Sequence, residues 1–206
     1  MSVRNKVFLS CILFCFFTYL FLDFSNHPNL LLSNILKYLS IWLIFFLGFP
    51  SKNSLPLFLT LLCDYLLLFT NYYLQGVALF CLVHLFYLRL FLPCLESVPS
   101  LCFIFLLFLV LLRLPLEAVC CFYAFSFLLH IVAALSSYKK CPFLPNKLYF
   151  YGLLLFLLCD VCVALSHLTN HAFLFSMIWL FYGPSQLFLA ISFLVQKSEN
   201  KFLRLH

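Results

Sequence analysis

The sequence predicts an all-α, polytopic membrane protein of about eight transmembrane helices, with both termini cytoplasmic. Three observations carry that fold class. Of 206 residues, 66% are hydrophobic and 20% aromatic, while only 9% are charged; a soluble domain carries about 25% charged residues. No soluble fold of this length hides so much apolar surface, so lipid must cover it. Apolar runs of spanning length, roughly 17–25 residues, recur along the chain between polar, proline or charged breaks. The basic residues fall on alternate breaks, as cytoplasmic loops require.

Each element follows from its flanks. The run 7–23 follows Arg4 and Lys6 and so resembles a signal peptide. No small-x-small cleavage site comes after it, and bulky Phe21, Leu22 and Phe24 do, so it reads as a retained first helix. The polar stretch around Pro28 separates it from 30–49, and the stretch around Lys52 separates that span from 54–70. Asn71 marks the step to 73–94, which ends before Glu96, and 99–114 follows. RLPLE at Arg113–Glu117 is the shortest break, but 99–136 is too long for one span, so 116–136 stands as a separate helix in which Pro115 and Glu117 fit a tight turn. A basic segment leads to 148–166, and a His-rich outer segment leads to 172–195. The spans together form one integral membrane domain, residues 1–206.

Orientation comes from charge. With the N-terminus inside, the cytoplasmic segments hold Arg4, Lys6, Lys52, Arg89, Lys139, Lys140, Lys147, Lys197, Lys201 and Arg204, and the outer segments hold only Arg113. Lys37 is left within a span. The net charge of +6 thus needs no nucleic-acid partner. The eleven cysteines lie almost all in apolar runs, where they behave as small hydrophobes, and neither a disulfide framework nor a zinc spacing is expected.

The chemistry-bearing residues stand out against this background. LTLLCD at Leu59–Asp64 and LFLLCD at Leu155–Asp160 each set a carboxylate inside a leucine run. Both spans run outward, and both carboxylates sit roughly 18–20 Å above the inner boundary at 1.5 Å per residue. A carboxylate there costs about 2.5–3.5 kcal/mol on insertion scales, so it pairs, shares a proton or lines a wet cavity, and it is a functional candidate by default. The bland alternative is a buried Asp–Lys pair that only fastens helices. The repeat also fits a parallel duplication of four helices, although leucine-rich hexamers recur by chance. Lys37 and Tyr123 reach similar depth from the outer side, and His84 and Tyr182 lie nearer the middle. His130 reads as a packing residue on an apolar helix, and His27, His167 and His171 as solvated on outer loops.

The order of these residues resembles the YhhN-like membrane proteins, the lysoplasmalogenase family. In LTLLCDYLLLFTNYYLQGVALFCLVHLFYLRLF (Leu59–Phe91), Asp64, Gly76, His84 and Tyr87 match the family's Asp, Gly and His-x-x-Tyr in order. YGLLLFLLCDVCVALSHL (Tyr151–Leu168) resembles its second acidic block, and FYGPSQLFLAIS (Phe181–Ser192) its closing Tyr-x-x-x-Gln, through Tyr182 and Gln186. Tyr123 and Lys37 fall where the family has Tyr and Lys. The resemblance covers about residues 34–195. It departs at Cys63 and Cys159, where the family has Gly or Ser, and at Tyr38, where it usually has Pro.

The resemblance implies hydrolysis of the vinyl ether bond of a lysoplasmalogen to a fatty aldehyde and glycerophosphoethanolamine or glycerophosphocholine. Asp64 and Asp160 would be the catalytic carboxylates, and Lys37, His84, Tyr87, Tyr123, Tyr182 and Gln186 would contact substrate or support them. The implied partners are a lysophospholipid substrate and membrane lipid, with no cofactor, no metal and no nucleic acid. The family's common occurrence points to a bacterial inner membrane. Other classes stay open at this stage: a transporter or channel using the Asp pair, although helix-breaking Gly is scarce; a metal-dependent hydrolase with Asp64, His84 and Asp160 as ligands; and a non-catalytic lipid-binding protein.

Overall fold

The structure is a computed structural model that describes residues 3–25, 29–49, 54–91, 98–169 and 171–203. Among these residues there are eight α-helices and no strand. They are α1 (Val3–Phe24), α2 (Leu30–Gly48), α3 (Ser54–Phe69), α4 (Tyr73–Leu88), α5 (Val98–Leu111), α6 (Leu116–Lys140), α7 (Leu144–Thr169) and α8 (Ala172–Leu203). The eight predicted runs are thus eight helices. Five stretches are long and apolar enough to cross a membrane: α1, α2, α6, α7 and Phe173–Gln196 within α8. α3 and α4 are apolar but shorter. These helices are compatible with an integral membrane protein. Large apolar side chains also project outward from them, as with Phe14, Phe17 and Phe21 of α1 and Phe125, Leu128 and Val132 of α6. Such side chains have no aqueous rationale and every reason to meet lipid.

Several helix ends differ from the sequence reading, two of them for plain local reasons. α4 stops at Leu88 rather than reaching residue 94. Its last turn tightens, with the Leu90 and Phe91 amides donating to the carbonyls of Tyr87 and Leu88, three residues back. Pro93 lies just ahead and disfavours helical backbone in the residue before it. α6 runs on to Lys140, past the apolar limit at residue 136. Lysines in the last turn complement the negative end of the helix dipole, so the helix extends through polar sequence. The Pro115 break is present: Pro115 caps α6 and Glu117 sits in its first turn, where an acidic side chain is favoured.

The helices gather into two compact units. One comprises residues 1–51 and 143–206, with α1, α2, α7 and α8; the other comprises residues 52–142, with α3 to α6. The chain therefore does not divide into a first and a second four-helix half, and the two LxLLCD segments fall one in each unit.

In the first unit, α8 is the centre. It packs along α7 and also meets α1 and α2. α7 and α8 run antiparallel, with Tyr149 against Phe193 and Phe156 against Tyr182 (ring centroids 5.8 and 5.5 Å apart). Their close approach depends on Gly152, where a Cβ would stand 3.1 Å from the Ser185 carbonyl oxygen and 3.2 Å from the Phe188 Cβ. Likewise, a Cβ on Gly183 would collide with the Tyr19 hydroxyl of α1. In the second unit, α4 is the centre, packed by α3, α5 and α6. An apolar cluster of Ala78, Cys81, Leu111 and Val119 is buried against it.

Candidate functional site

Within the second unit, α4 and α6 carry the same spacing of large rings. α4 has Phe80, His84 and Tyr87, and α6 has Tyr123, Phe127 and His130, each at i, i+4, i+7. That spacing puts three side chains on one helical face. The two faces meet in parallel register. Phe80 lies 6.4 Å from Tyr123, His84 stacks on Phe127 at 4.4 Å, and Tyr87 stacks on His130 at 5.4 Å. His84 and His130 are fully buried, and Tyr87 is nearly so.

The polar atoms of this zipper are joined. His84 Nδ1 lies 3.2 Å from His130 Nδ1, and His84 Nε2 lies 3.3 Å from the Tyr123 hydroxyl. His130, read from sequence as a packing residue, is packed and is also bonded to His84. The repeated i, i+4, i+7 pattern was the available sequence indication.

Asp64 belongs to the same unit. On α3 the buried positions Leu57, Thr60, Leu61 and Asp64 form one stripe, and α3 packs on α4. Asp64 is 3% exposed and its neighbour Cys63 is fully buried. A carboxylate is therefore held in the interior face of an apolar helix, beside the helix that carries His84 and Tyr87.

The first unit holds a second group. Lys37 of α2 pairs with Asp23 at the end of α1, its ammonium 2.8 Å from one carboxylate oxygen and 3.0 Å from the other. Both side chains are under one-tenth exposed. Ser33 donates a short hydrogen bond to Asp23, and Lys37 also lies over the Trp179 ring of α8, 5.5 Å from its centroid. Ser176 donates to the Asp23 carbonyl and Tyr19 to the Trp179 carbonyl. Three helices are thus tied at one point by charge and hydrogen bonds. Asp23, Ser33 and Trp179 were missed from sequence: Asp23 reads as the polar end of a span, and nothing local links it to a lysine 14 residues on.

Asp160 is half-buried on α7, one turn past Phe156. Phe156 packs on Tyr182, which is buried on α8. One turn beyond Tyr182 is Gln186, 1% exposed, and neither its amide oxygen nor its amide nitrogen has a hydrogen-bond partner among the described residues. Leaving such groups unpaired costs about 1–3 kcal/mol each.

The structure therefore gathers Asp64, His84, Tyr87 and Tyr123 in one unit, and Lys37, Asp160, Tyr182 and Gln186 in the other. Within either unit, no three described His, Cys, Asp or Glu side chains are placed together to hold a metal ion. His167 and His171 are exposed, His167 in the last turn of α7 rather than on a loop; His27 lies outside the described residues. The nine described cysteines are free thiols.

No curated protein and no solved structure gives a significant match to the chain. The family model described as the YhhN family matches residues 33–193, a stretch that contains Lys37, Asp64, His84, Tyr123, Asp160 and Gln186. The chain belongs to the YhhN family.

Proposed function

We propose that this protein is a lysoplasmalogenase-type hydrolase of the membrane. It cleaves the vinyl ether bond of a lysoplasmalogen to a fatty aldehyde and glycerophosphoethanolamine or glycerophosphocholine. One observation carries the reading: a chain of the YhhN family has a carboxylate in each of two leucine-rich LxLLCD helix segments, with Asp64 buried and Asp160 half-buried. Intramembrane carboxylates are costly and mark functional sites by default.

The chemistry suits two carboxylates in unlike surroundings. One, as the acid, protonates the alkenyl carbon remote from the ether oxygen. The cation left on the adjacent carbon is oxocarbenium-like and is stabilised by the other carboxylate. Water adds to that carbon and gives up a proton to a carboxylate. The hemiacetal then breaks at the ether carbon–oxygen bond, a proton passes to the leaving glyceryl oxygen, and the aldehyde is released. Atoms balance as substrate plus one water. His84, with Tyr123 and Tyr87 around it, supports the acid–base step. The unpaired amide of Gln186 offers a donor and an acceptor to the glyceryl hydroxyl or headgroup. Tyr182 backs that amide, and Lys37, already neutralised by Asp23, braces the first unit rather than capturing phosphate.

Eight spans, cytoplasmic termini, a single membrane domain and a bacterial inner membrane complete the proposal. Purified protein given an alkenyl lysolipid should release aldehyde. Asp64→Asn and Asp160→Asn should each reduce that release by about 10²-fold or more while the protein stays folded, since acid–base groups contribute about 10²–10⁴-fold. The double variant should be little worse than either single one, because parts of one catalytic unit are not additive. Full activity in either variant sinks the carboxylate mechanism. Solute flux without aldehyde would indicate a transporter, loss of aldehyde on chelation a metal enzyme, and lipid binding alone a non-catalytic relative.

A further inference from the structure

The His84–His130 contact has a consequence that follows from hydrogen-bond chemistry alone. Two Nδ1 atoms face each other at 3.2 Å, deep inside the helix pair. Two lone pairs pointed at each other would repel at this distance instead of bonding. Two N–H groups pointed at each other would clash. The contact therefore holds a single proton, on one ring or the other. A neutral imidazole carries only one N–H, so the choice at Nδ1 fixes the choice at Nε2.

His84 Nε2 is also engaged, at 3.3 Å from the Tyr123 hydroxyl. With both rings neutral, two arrangements satisfy the chain. In one, Tyr123 donates to His84 Nε2, and His84 Nδ1–H donates to His130 Nδ1. In the other, His130 Nδ1–H donates to His84 Nδ1, His84 Nε2–H donates to the Tyr123 oxygen, and the Tyr123 proton points away from His84. Passing from the second to the first moves protons one place along the line. Tyr123 gives up its hydroxyl proton and takes one from His84 Nε2; His84 Nδ1 takes the proton of His130 Nδ1; and His130 gains one at Nε2. One proton leaves at Tyr123, one enters at His130, and the rings remain neutral.

We infer that His130 is a positioning residue that shares one proton with His84 and so sets whether His84 accepts from Tyr123 or donates to it. Its aromatic stack on Tyr87 fixes the ring for this task, at an interplanar angle of 16°. The link to turnover rests on the hydrolase reading above, whereas the shared proton does not.

The test uses the full chain labelled with ¹⁵N-histidine in detergent micelles. Nitrogen NMR should show one protonated and one unprotonated facing Nδ1, with a scalar coupling across the N–H···N bond. Tyr123→Phe should shift the proton between the two rings, and His130→Phe should abolish the coupling. Two unprotonated facing nitrogens, or no coupling in the wild type, overturn the inference. Aldehyde release supplies a second readout. His130→Asn keeps a hydrogen-bonding atom near Nδ1 and should retain most of kcat, whereas His130→Phe should lower kcat roughly 10–10²-fold with KM little changed. A purely packing role predicts the reverse order, with Phe tolerated and Asn harmful, and that result overturns the positioning role. Wild-type protein that shows the coupling but releases no aldehyde refutes the hydrolase reading and leaves the shared proton standing.

Discussion

Replacing Gln186 by Leu should make the protein more stable and less active. Gln186 is 1% exposed on α8, and both polar atoms of its amide lack a partner among the described residues. An unpaired buried amide atom costs about 1–3 kcal/mol, and replacing it by an apolar group of similar shape removes that penalty. Leu is close to Gln in length, so little new cavity or overlap is introduced, and repacking a volume-conserving swap costs under about 1.5 kcal/mol. The expected net gain is about 1–3 kcal/mol without substrate. Loss of function should accompany it, since sites built to bind a polar ligand commonly trade stability for activity. Buried thiols make the assay direct: Cys63, Cys81 and Cys159 become reactive to a fluorogenic maleimide only as the protein unfolds. The melting curve of Gln186→Leu should shift upward and its aldehyde release should fall about tenfold or more, the loss expected when a hydrogen bond to substrate worth about 1.5 kcal/mol is removed. A downward shift would refute the reasoning, because it would mean that the amide is satisfied in the unliganded protein.

The Asp23–Lys37 pair predicts strong coupling. Asp23→Asn or Lys37→Met alone should cost about 3–5 kcal/mol by leaving a buried charge unpaired, and the double variant should recover most of it; additive losses in thermal unfolding would contradict this. Gly152→Ala should cost about 1–3 kcal/mol, since its Cβ meets the Ser185 carbonyl at 3.1 Å and α7 and α8 must part. Gly76→Ala should be milder in the same assay, because its nearest neighbours belong to the Leu67 side chain, which can turn aside, rather than to backbone. Fluorescent reporters fused to either terminus should both fold in the cytoplasm, and a periplasmic signal from the C-terminal fusion would mean an odd number of spans.

The helices were legible because every break carries its own chemistry. Pro115 ends one apolar run and starts another, and it does so in the structure at the residue where the sequence places it. What hydropathy could not give is where helical winding outlasts apolarity. α8 continues to Leu203 through Gln196, Lys197 and Ser198, past the end of the predicted span at 195, because those residues still favour helix. The site was half legible. Asp64 is conspicuous as a charge among leucines. His130 was not, because a lone histidine in an apolar helix looks the same whether it packs or bonds; only the match between two distant i, i+4, i+7 patterns distinguishes them. Asp23 was hidden by position, since a carboxylate near a helix end suggests an interface with water rather than an ion pair with the next helix.

That ion pair bears on how the chain enters a membrane. Asp23 and Lys37 are 14 residues apart in sequence, so during synthesis at about 5–20 residues per second the carboxylate precedes its partner by roughly one to three seconds. α2 released alone into lipid would carry an uncompensated Lys37 in the body of the helix, at up to about 2.5–3.5 kcal/mol on insertion scales, whereas Asp23 stands at the end of α1, where a charge can reach the interface. Together the two helices carry a neutral, bonded pair instead. α2 is therefore expected to enter a membrane most readily with α1 still beside it to neutralise Lys37.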